Sequence, residues 1–457
     1  MDNKLFSKWM DDNLDAMIQD IISVVNIKSV SIPGSTPFPY GDGCKEVLDK
    51  CLEISERMGF SATNHEEHCG TVLLKGESED ELAIFGHLDI VPEGTGWSTD
   101  PYNAVVSDGK IIGRGAQDNK GPAIIALYTA KFIKDAGIKL NHSLRIFFGL
   151  SEEKGMDDVL YYISKNPMPK FSIVPDAPFP VCTGEKGILA LDMIGNAGNI
   201  IKEMNAAEVS NMVPSDAYVV LDVDYDKAQS MLSPYMTDEF MTEKTSMSKI
   251  KLSAKGRSGH AAWPELADSA LVKLYSILSK SGILDEAGQK SVDFLLKSFS
   301  DYDGAGINTS FKDDFGRLTH IGGMVRIENE KIVQNINIRY PVKTDRDSMK
   351  NNIKAHCESG GFDFRLLADD PPFFIDPKSP VIQMMQSVCN EVLEKDYEPY
   401  VMGFTYARKL KNAVAFGPCL PDKFNAAHQP NEFVEINDLI NGIKVYAKVL
   451  LELDKML

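Results

Sequence analysis

No uninterrupted apolar run in the 457 residues reaches the roughly 18 that a membrane-spanning helix needs, so the sequence offers no transmembrane segment. The first ten residues lack a continuous apolar core and are followed by Asp11, Asp12 and Asp15, which is not the pattern of a signal peptide. Cysteine is scarce. The seven present are odd in number, scattered and without CxxC spacing, so reduced thiols in a cytoplasmic protein are the simpler reading than a disulfide framework. Basic charge is also in deficit, with 48 Lys and Arg against 66 Asp and Glu. A net charge of -18 argues against nucleic acid and anionic membrane surfaces as partners.

What the sequence does have is a set of acidic and imidazole residues at the ends of apolar runs. The run from Leu82 to Phe85 empties through Gly86 into His87, Leu88 and Asp89, as a buried strand does on entering a functional loop. Residues two apart in an extended chain point the same way, so Asp89 can orient the His87 imidazole. Alone, such a pair reads as a local hydrogen bond. The glycine-rich stretch Gly113 to Gly121 carries Asp118 just before a helical pattern with Pro122 in its first turn, where Asp118 by itself reads as an ordinary N-cap. A β-rich run, Leu144 to Leu150, leads into Ser151, Glu152 and Glu153. Adjacent carboxylates repel unless a cation neutralises them, so this pair suggests a bound metal beside a proton acceptor, against the plainer reading of a solvated acidic turn. A fourth run, Phe171 to Val174, ends at Pro175 and Asp176, and His428 arrives late, within Asn425 to Glu432. In an open α/β sheet, ligands bind beyond the carboxyl ends of the strands. Convergence there lifts these motifs above their separate readings, and oxygen and imidazole donors without thiolates suit catalytic Zn²⁺, Mn²⁺ or Co²⁺. His65-Glu66-Glu67-His68 is set aside: its histidines are three apart rather than four, and it reads as a loop or edge strand.

The order His87-x-Asp89, Asp118, Glu152-Glu153, Asp176, His428 resembles the co-catalytic zinc metallopeptidase family of carboxypeptidase G, aminoacylase and desuccinylase. The nearest likeness is to PepV-type bacterial dipeptidases, through Gly86 to Trp97, Pro175 to Pro180, Gly184 to Gly187, Thr405 to Arg408 and His428 to Glu432. The resemblance implies two divalent ions, Zn²⁺ first, with His87 and Asp176 on one, Glu153 and His428 on the other, and Asp118 bridging. It also implies that Asp89 orients His87, that Glu152 is the general base for a metal-activated water, and that His260 stabilises the oxyanion. Arg339 would bind the substrate carboxylate, with Asn211 and Thr405 as further substrate contacts. The chain departs from the family pattern at Val401 to Phe404, where glycines are usual and Met402 and Phe404 are expected to crowd the pocket. Lys154 and the stretch Ala267 to Ala270 depart as well.

The length predicts two or more domains. The expected fold is α/β, with a discontinuous catalytic domain of zinc-exopeptidase type (residues 1–185 and 375–457) whose mixed sheet is flanked by helices. An α+β lid of two halves (186–374) is inserted into it. Strands are expected at Ile188 to Met193, Tyr218 to Val223, Lys249 to Ser253, Met324 to Arg326 and Asn335 to Arg339, with helices at Asp226 to Leu232 and Glu265 to Ser281. A lid of this length resembles the PepV type, which implies a monomer whose His260 serves its own chain. The leading function is hydrolysis of dipeptides or short peptides. An N-acyl-amino-acid amidohydrolase uses the same chemistry, and a non-catalytic metal- or peptide-binding homologue is the reading from another class, which the retained Glu152 disfavours.

Overall fold

A computed structural model describes the whole chain except Glu208, Met247, Ala262 and Met402; the expectation for Met402 therefore lies outside the described residues. The chain divides into two compact units, Met1–Glu185 with Phe374–Leu457, and Lys186–Phe373.

The first unit is built on a mixed sheet. Across it the strands run Ser61–Asn64, Cys69–Leu74, Ser143–Gly149, Glu81–His87, Phe171–Val174, Ala413–Phe416 and Val181–Glu185. Glu81–His87 is parallel to both of its neighbours, and Ala413–Phe416 is parallel to Phe171–Val174. The outer pairings among these strands are antiparallel, and the short strand Tyr400–Val401 adds a parallel pairing to Val181–Glu185. Val, Ile and Phe fill the central strands because both faces are covered by helices. The helix Lys120–Asp135 is buried along nearly its whole length, from Lys120 to Ala130 and at Phe132 and Ile133. Such all-round burial is the mark of a helix enclosed in a core. Asn3–Val25 and Ile436–Met456 join it in one apolar cluster with the sheet, in which Phe6 and Trp9 meet Phe132 edge-on at 5.3 and 5.2 Å.

The parallel register brings the strand ends into line. His87 pairs with Gly149, so Glu152 and Glu153 leave their strand beside it, and Val174, two residues before Asp176, closes the next strand. A three-stranded ladder of Val105–Ser107, Lys110–Ile112 and Phe433–Glu435 links the loop that holds Asp118 to the loop that holds His428.

The second unit is α+β, with two four-stranded sheets. One sheet joins a strand from the start of the segment to strands from its end, and the other is built from the stretch between them. Gly187–Asn196, the first strand, lies between Lys331–Tyr340 and Asp363–Asp370, with Thr319–Glu328 outside. The other sheet orders Ile201–Asn205, Asp216–Leu221, Lys249–Lys255 and Phe240–Ser246. The helix expected from Glu265 begins at Ala270, because Ser269 caps it by accepting from the Val272 N–H. Helices Glu286–Ser298 and Arg346–Gly360 were not foreseen. Among the described residues no helix is long and apolar enough to cross a membrane.

Candidate metal centre

His87 ends its strand with its ring almost fully buried. Its Nδ1 faces Asp89, 3.0 Å from the main-chain oxygen and 3.3 Å from Oδ1. That contact leaves Nε2 turned toward Asp118 Oδ1 at 3.1 Å and Asp176 Oδ2 at 3.6 Å. A ring whose Nδ1–H is engaged presents a lone pair at Nε2, the arrangement a metal-binding imidazole needs.

Asp118 is not the N-cap of the following helix. Asn119 occupies the cap position and makes no side-chain cap bond. Its amide reaches sideways instead: Oδ1 accepts the His87 N–H at 3.3 Å, and Nδ2 donates to Pro175 O at 2.6 Å and Asp176 Oδ1 at 3.2 Å. Asp118 is thereby free of capping, and its second oxygen lies 3.1 Å from His428 Nε2. The same nitrogen is 2.8 Å from Glu153 Oε1. His428 sits in the left-handed region at φ 63°, in a loop followed by Pro430.

Ligand atoms of His87, Asp118 and Asp176 lie within 4.8 Å of one another, and so do those of Asp118, Glu153 and His428. Asp118 belongs to both groups. A third such group joins His87 to Glu152 and Glu153. Glu152 is buried, and among the described residues its Oε1 has no hydrogen-bond partner. Carboxylates outnumber imidazoles here, and every donor is nitrogen or oxygen. The residues present fit a pair of divalent cations of the Zn²⁺, Mn²⁺ or Co²⁺ class.

The electrostatics agree with that fit. Burial pushes the carboxyl of Glu152 well up, the His87 charge opposes it, and Asp176, Glu153 and Asp118 add to the rise. Glu153 and Asp176 are raised by burial and by Asp118. Burial pulls the imidazoles down, yet Asp118, Asp176 and Asp89 hold His87 well above its usual range, and Asp118 with Glu153 raises His428 to about 11. Each imidazole is the nearest positive partner available to clustered anions.

Further contacts support the cluster, some through residues that the sequence singles out and one, Asp158, that it does not. Asp89, fully buried, accepts the main-chain N–H groups of Glu152 at 3.1 Å and Glu153 at 3.0 Å. Asp158 accepts from the Leu150 and Ser151 N–H groups at 2.6 and 2.9 Å and from the Tyr406 hydroxyl. The Tyr406 ring stands edge-on to His87 at 6.3 Å. Thr405, expected to contact substrate, is buried; its hydroxyl donates to Glu185 at 2.6 Å and accepts from the Ala407 N–H at 3.1 Å. Phe404 lies over the Arg408 guanidinium at 4.4 Å. His65 and His68 stand apart, in the turn after Ser61–Asn64: His65 Nε2 meets the Thr71 hydroxyl at 2.8 Å, and the His68 ring stacks on Tyr161 at 3.9 Å.

The remaining expected residues belong to the second unit, where they are neighbours. His260 pairs with Met212, and the Ala261 N–H donates to Asn211 O at 2.9 Å. Arg339 pairs across its ladder with Thr319, whose hydroxyl donates to Ala261 O at 2.9 Å. The Arg339 Nε donates to Asn337 Oδ1 at 3.1 Å.

The profile of Peptidase family M20/M25/M40 matches residues 83–452, a span that includes every residue of the cluster. The chain belongs to that family. It is a metallopeptidase, a hydrolase of peptide bonds. YtjP of Bacillus subtilis (strain 168), a dipeptidase by name, is 31% identical over 96% of this chain and 97% of its own. SH1171 of Staphylococcus haemolyticus (strain JCSC1435), also a dipeptidase by name, is 29% identical over 96% of this chain and 97% of its own. Among solved structures, human carnosine dipeptidase 1 superposes with a TM-score of 0.61 at 15% identity, covering 99% of each chain. The metallo-carboxypeptidase Sso-CP2 of Sulfolobus solfataricus gives 0.56 at 18% identity, over 96% of this chain and 99% of that one. Those two likenesses establish the fold of the peptidase, α/β with an inserted α+β region.

Proposed function

We propose that this peptidase is a dipeptidase, cleaving dipeptides or short peptides with a free carboxylate at a centre of two divalent ions. The observation that carries the reading is the pair of ligand groups sharing Asp118, His87 with Asp176 and Glu153 with His428. The names of the two full-length relatives support the dipeptide substrate.

Zn²⁺ suits the donor set, as do Mn²⁺ and Co²⁺. Such ions, when bound, polarise the scissile carbonyl and lower the pKa of a water toward ~7. The residues do the rest. Glu152 takes the proton of the attacking water at its carboxylate and returns it to the leaving amine, a task that its burial and raised proton affinity favour. Asp89 fixes the His87 ring and the Glu152 main chain together. His260 donates to the developing oxyanion, and Arg339 offers a planar fork to the substrate carboxylate, with Asn211 beside them. Thr405 contributes through the loop that it caps. The two sheets of the inserted unit support a chain that works as a monomer with its own His260.

The test is a substrate panel of Xaa-Xaa, β-Ala-Xaa and N-acetyl-amino acids, run on chelator-treated protein resupplied with Zn²⁺, Mn²⁺ or Co²⁺. Cleavage of Xaa-Xaa alone is the expected result. Cleavage confined to N-acetyl-amino acids would replace this reading with an amidohydrolase, and two bound ions without any cleavage would replace it with a binding protein. A stable dimer in analytical ultracentrifugation would remove the monomer.

A further inference from the structure

The two ligand groups are tied to the fold by different residues. Asn119 serves one of them, holding His87 through its N–H and Asp176 through its carboxylate and the preceding carbonyl. The other is served from the far end of the chain by Glu432.

Glu432 is completely buried. Its Oε1 accepts from the main-chain N–H groups of Gly115 at 3.1 Å, Gln117 at 2.9 Å and Asp118 at 3.0 Å. Three amides converging on one oxygen form a nest for an anion, and Gly115, at φ 89°, lets the turn wrap around it. Oε2 receives the buried Arg114 Nη1 at 2.6 Å, and the Glu432 carbonyl accepts the Gly113 N–H at 2.9 Å. The same two loops meet again through Gln117, whose amide donates to Asn425 Oδ1 at 2.6 Å and accepts the Ala426 N–H at 3.0 Å. Asp118 and His428 are the ligand residues that these loops carry. Charge-assisted bonds to a fully buried carboxylate are the strong members of such a network.

We propose that Glu432 is a positioning residue that acts more strongly on the Asp118, Glu153, His428 position, two of whose ligands ride on the loops it joins, than on the His87, Asp118, Asp176 position, which keeps its Asn119 tie. The inference rests on the two-ion reading above. Glu432 pins the Asp118 main chain and joins its loop to the one that carries His428, whereas His87 and Asp176 keep their Asn119 tie when Glu432 is removed.

The experiment titrates Zn²⁺ calorimetrically into full-length protein stripped by chelation, with amide hydrogen exchange followed in parallel. Wild type is expected to take two ions. Glu432→Ala is expected to weaken one ion only slightly, since Asp118 serves both groups, to bind the other at least about tenfold more weakly than the first is bound, and to lose exchange protection at Gly115, Gln117 and Asp118. Asn119→Ala is expected to weaken one ion while protection at those three amides persists. Should Glu432→Ala fail to fold by circular dichroism, Glu432→Gln, which keeps an acceptor for the amides but removes the charge facing Arg114, is expected to show the same selective loss in milder form. Two ions bound by the folded variant as in wild type, or both weakened equally, overturns the proposal. A wild type that binds fewer than two ions overturns the two-ion reading itself, and the exchange pattern tells that failure apart from a failure of the Glu432 tie.

Discussion

Asp89 accepts the main-chain N–H of Glu152 at 3.1 Å while its other contacts hold the His87 ring. One buried carboxylate thus couples a ligand to the proposed base. Replacing Asp89 by Asn would turn an amide group toward one of the Glu152 and Glu153 N–H donors and weaken its contact to His87. Divalent-ion affinity, read by calorimetry with Zn²⁺, is expected to fall about 10- to 100-fold.

Glu152 joins the cluster through its side chain, whose Oε1 has no hydrogen-bond partner among the described residues. Glu152→Gln is expected to reduce kcat by about 10²–10⁴-fold, the usual contribution of a positioned base, with both ions still bound. Kinetics on a cleaved dipeptide together with elemental analysis check this. Loss of the ions along with turnover would assign Glu152 to coordination instead.

Gly149 faces Tyr406 so closely that a Cβ there would sit 1.9 Å from the hydroxyl oxygen and 2.6 Å from Asp158 Oδ2. Gly149→Ala is expected to destabilise the protein by about 1–3 kcal/mol in chemical denaturation, as overpacked cores do. Adding Tyr406→Phe should recover part of the loss, because the nearest clashing atom is then gone.

His356 accepts from Asn308 Nδ2 at its Nδ1 and donates through Nε2 to the Ser298 hydroxyl, with Phe294 stacked on the ring. Burial, with Lys297 and His320 nearby, lowers it to about 4. The unfolded chain takes up this proton near pH ~6.5 and the folded chain only near 4, so stability is expected to fall as pH drops between those values. Melting temperature against pH should show that slope for wild type and a flatter one for His356→Asn.

Much of the cluster was legible because the chemistry is carried by residue type. His, Asp and Glu at the ends of apolar runs stand out locally, and parallel strands bring such ends together. What was hidden depends on partners remote in sequence. Nothing near Asp118 distinguishes it from Asn119 as a cap, since both residue types favour that position. The side-chain reach of Asn119 to Pro175, of Glu432 to Asp118 and of Tyr406 to Asp158 spans 56, 314 and 248 residues. In the second unit, the helix Arg346–Gly360 buries only Met349, Ile353, His356 and Cys357, too thin a stripe to announce itself. The interleaved sheets were missed for a related reason. Period-2 patterns locate strands but say nothing about which distant strand each one joins.

That interleaving has a consequence for synthesis on the ribosome. Gly187–Asn196 waits for Lys331–Tyr340 and Asp363–Asp370 before either of its edges is covered, and Phe171–Val174 waits for Ala413–Phe416. Neither unit can close during the first half of translation, and His428 emerges only near the end. A prematurely terminated product would therefore lack one side of the metal cradle and expose bare strand edges to quality-control machinery, so that no hydrolytically competent fragment is released.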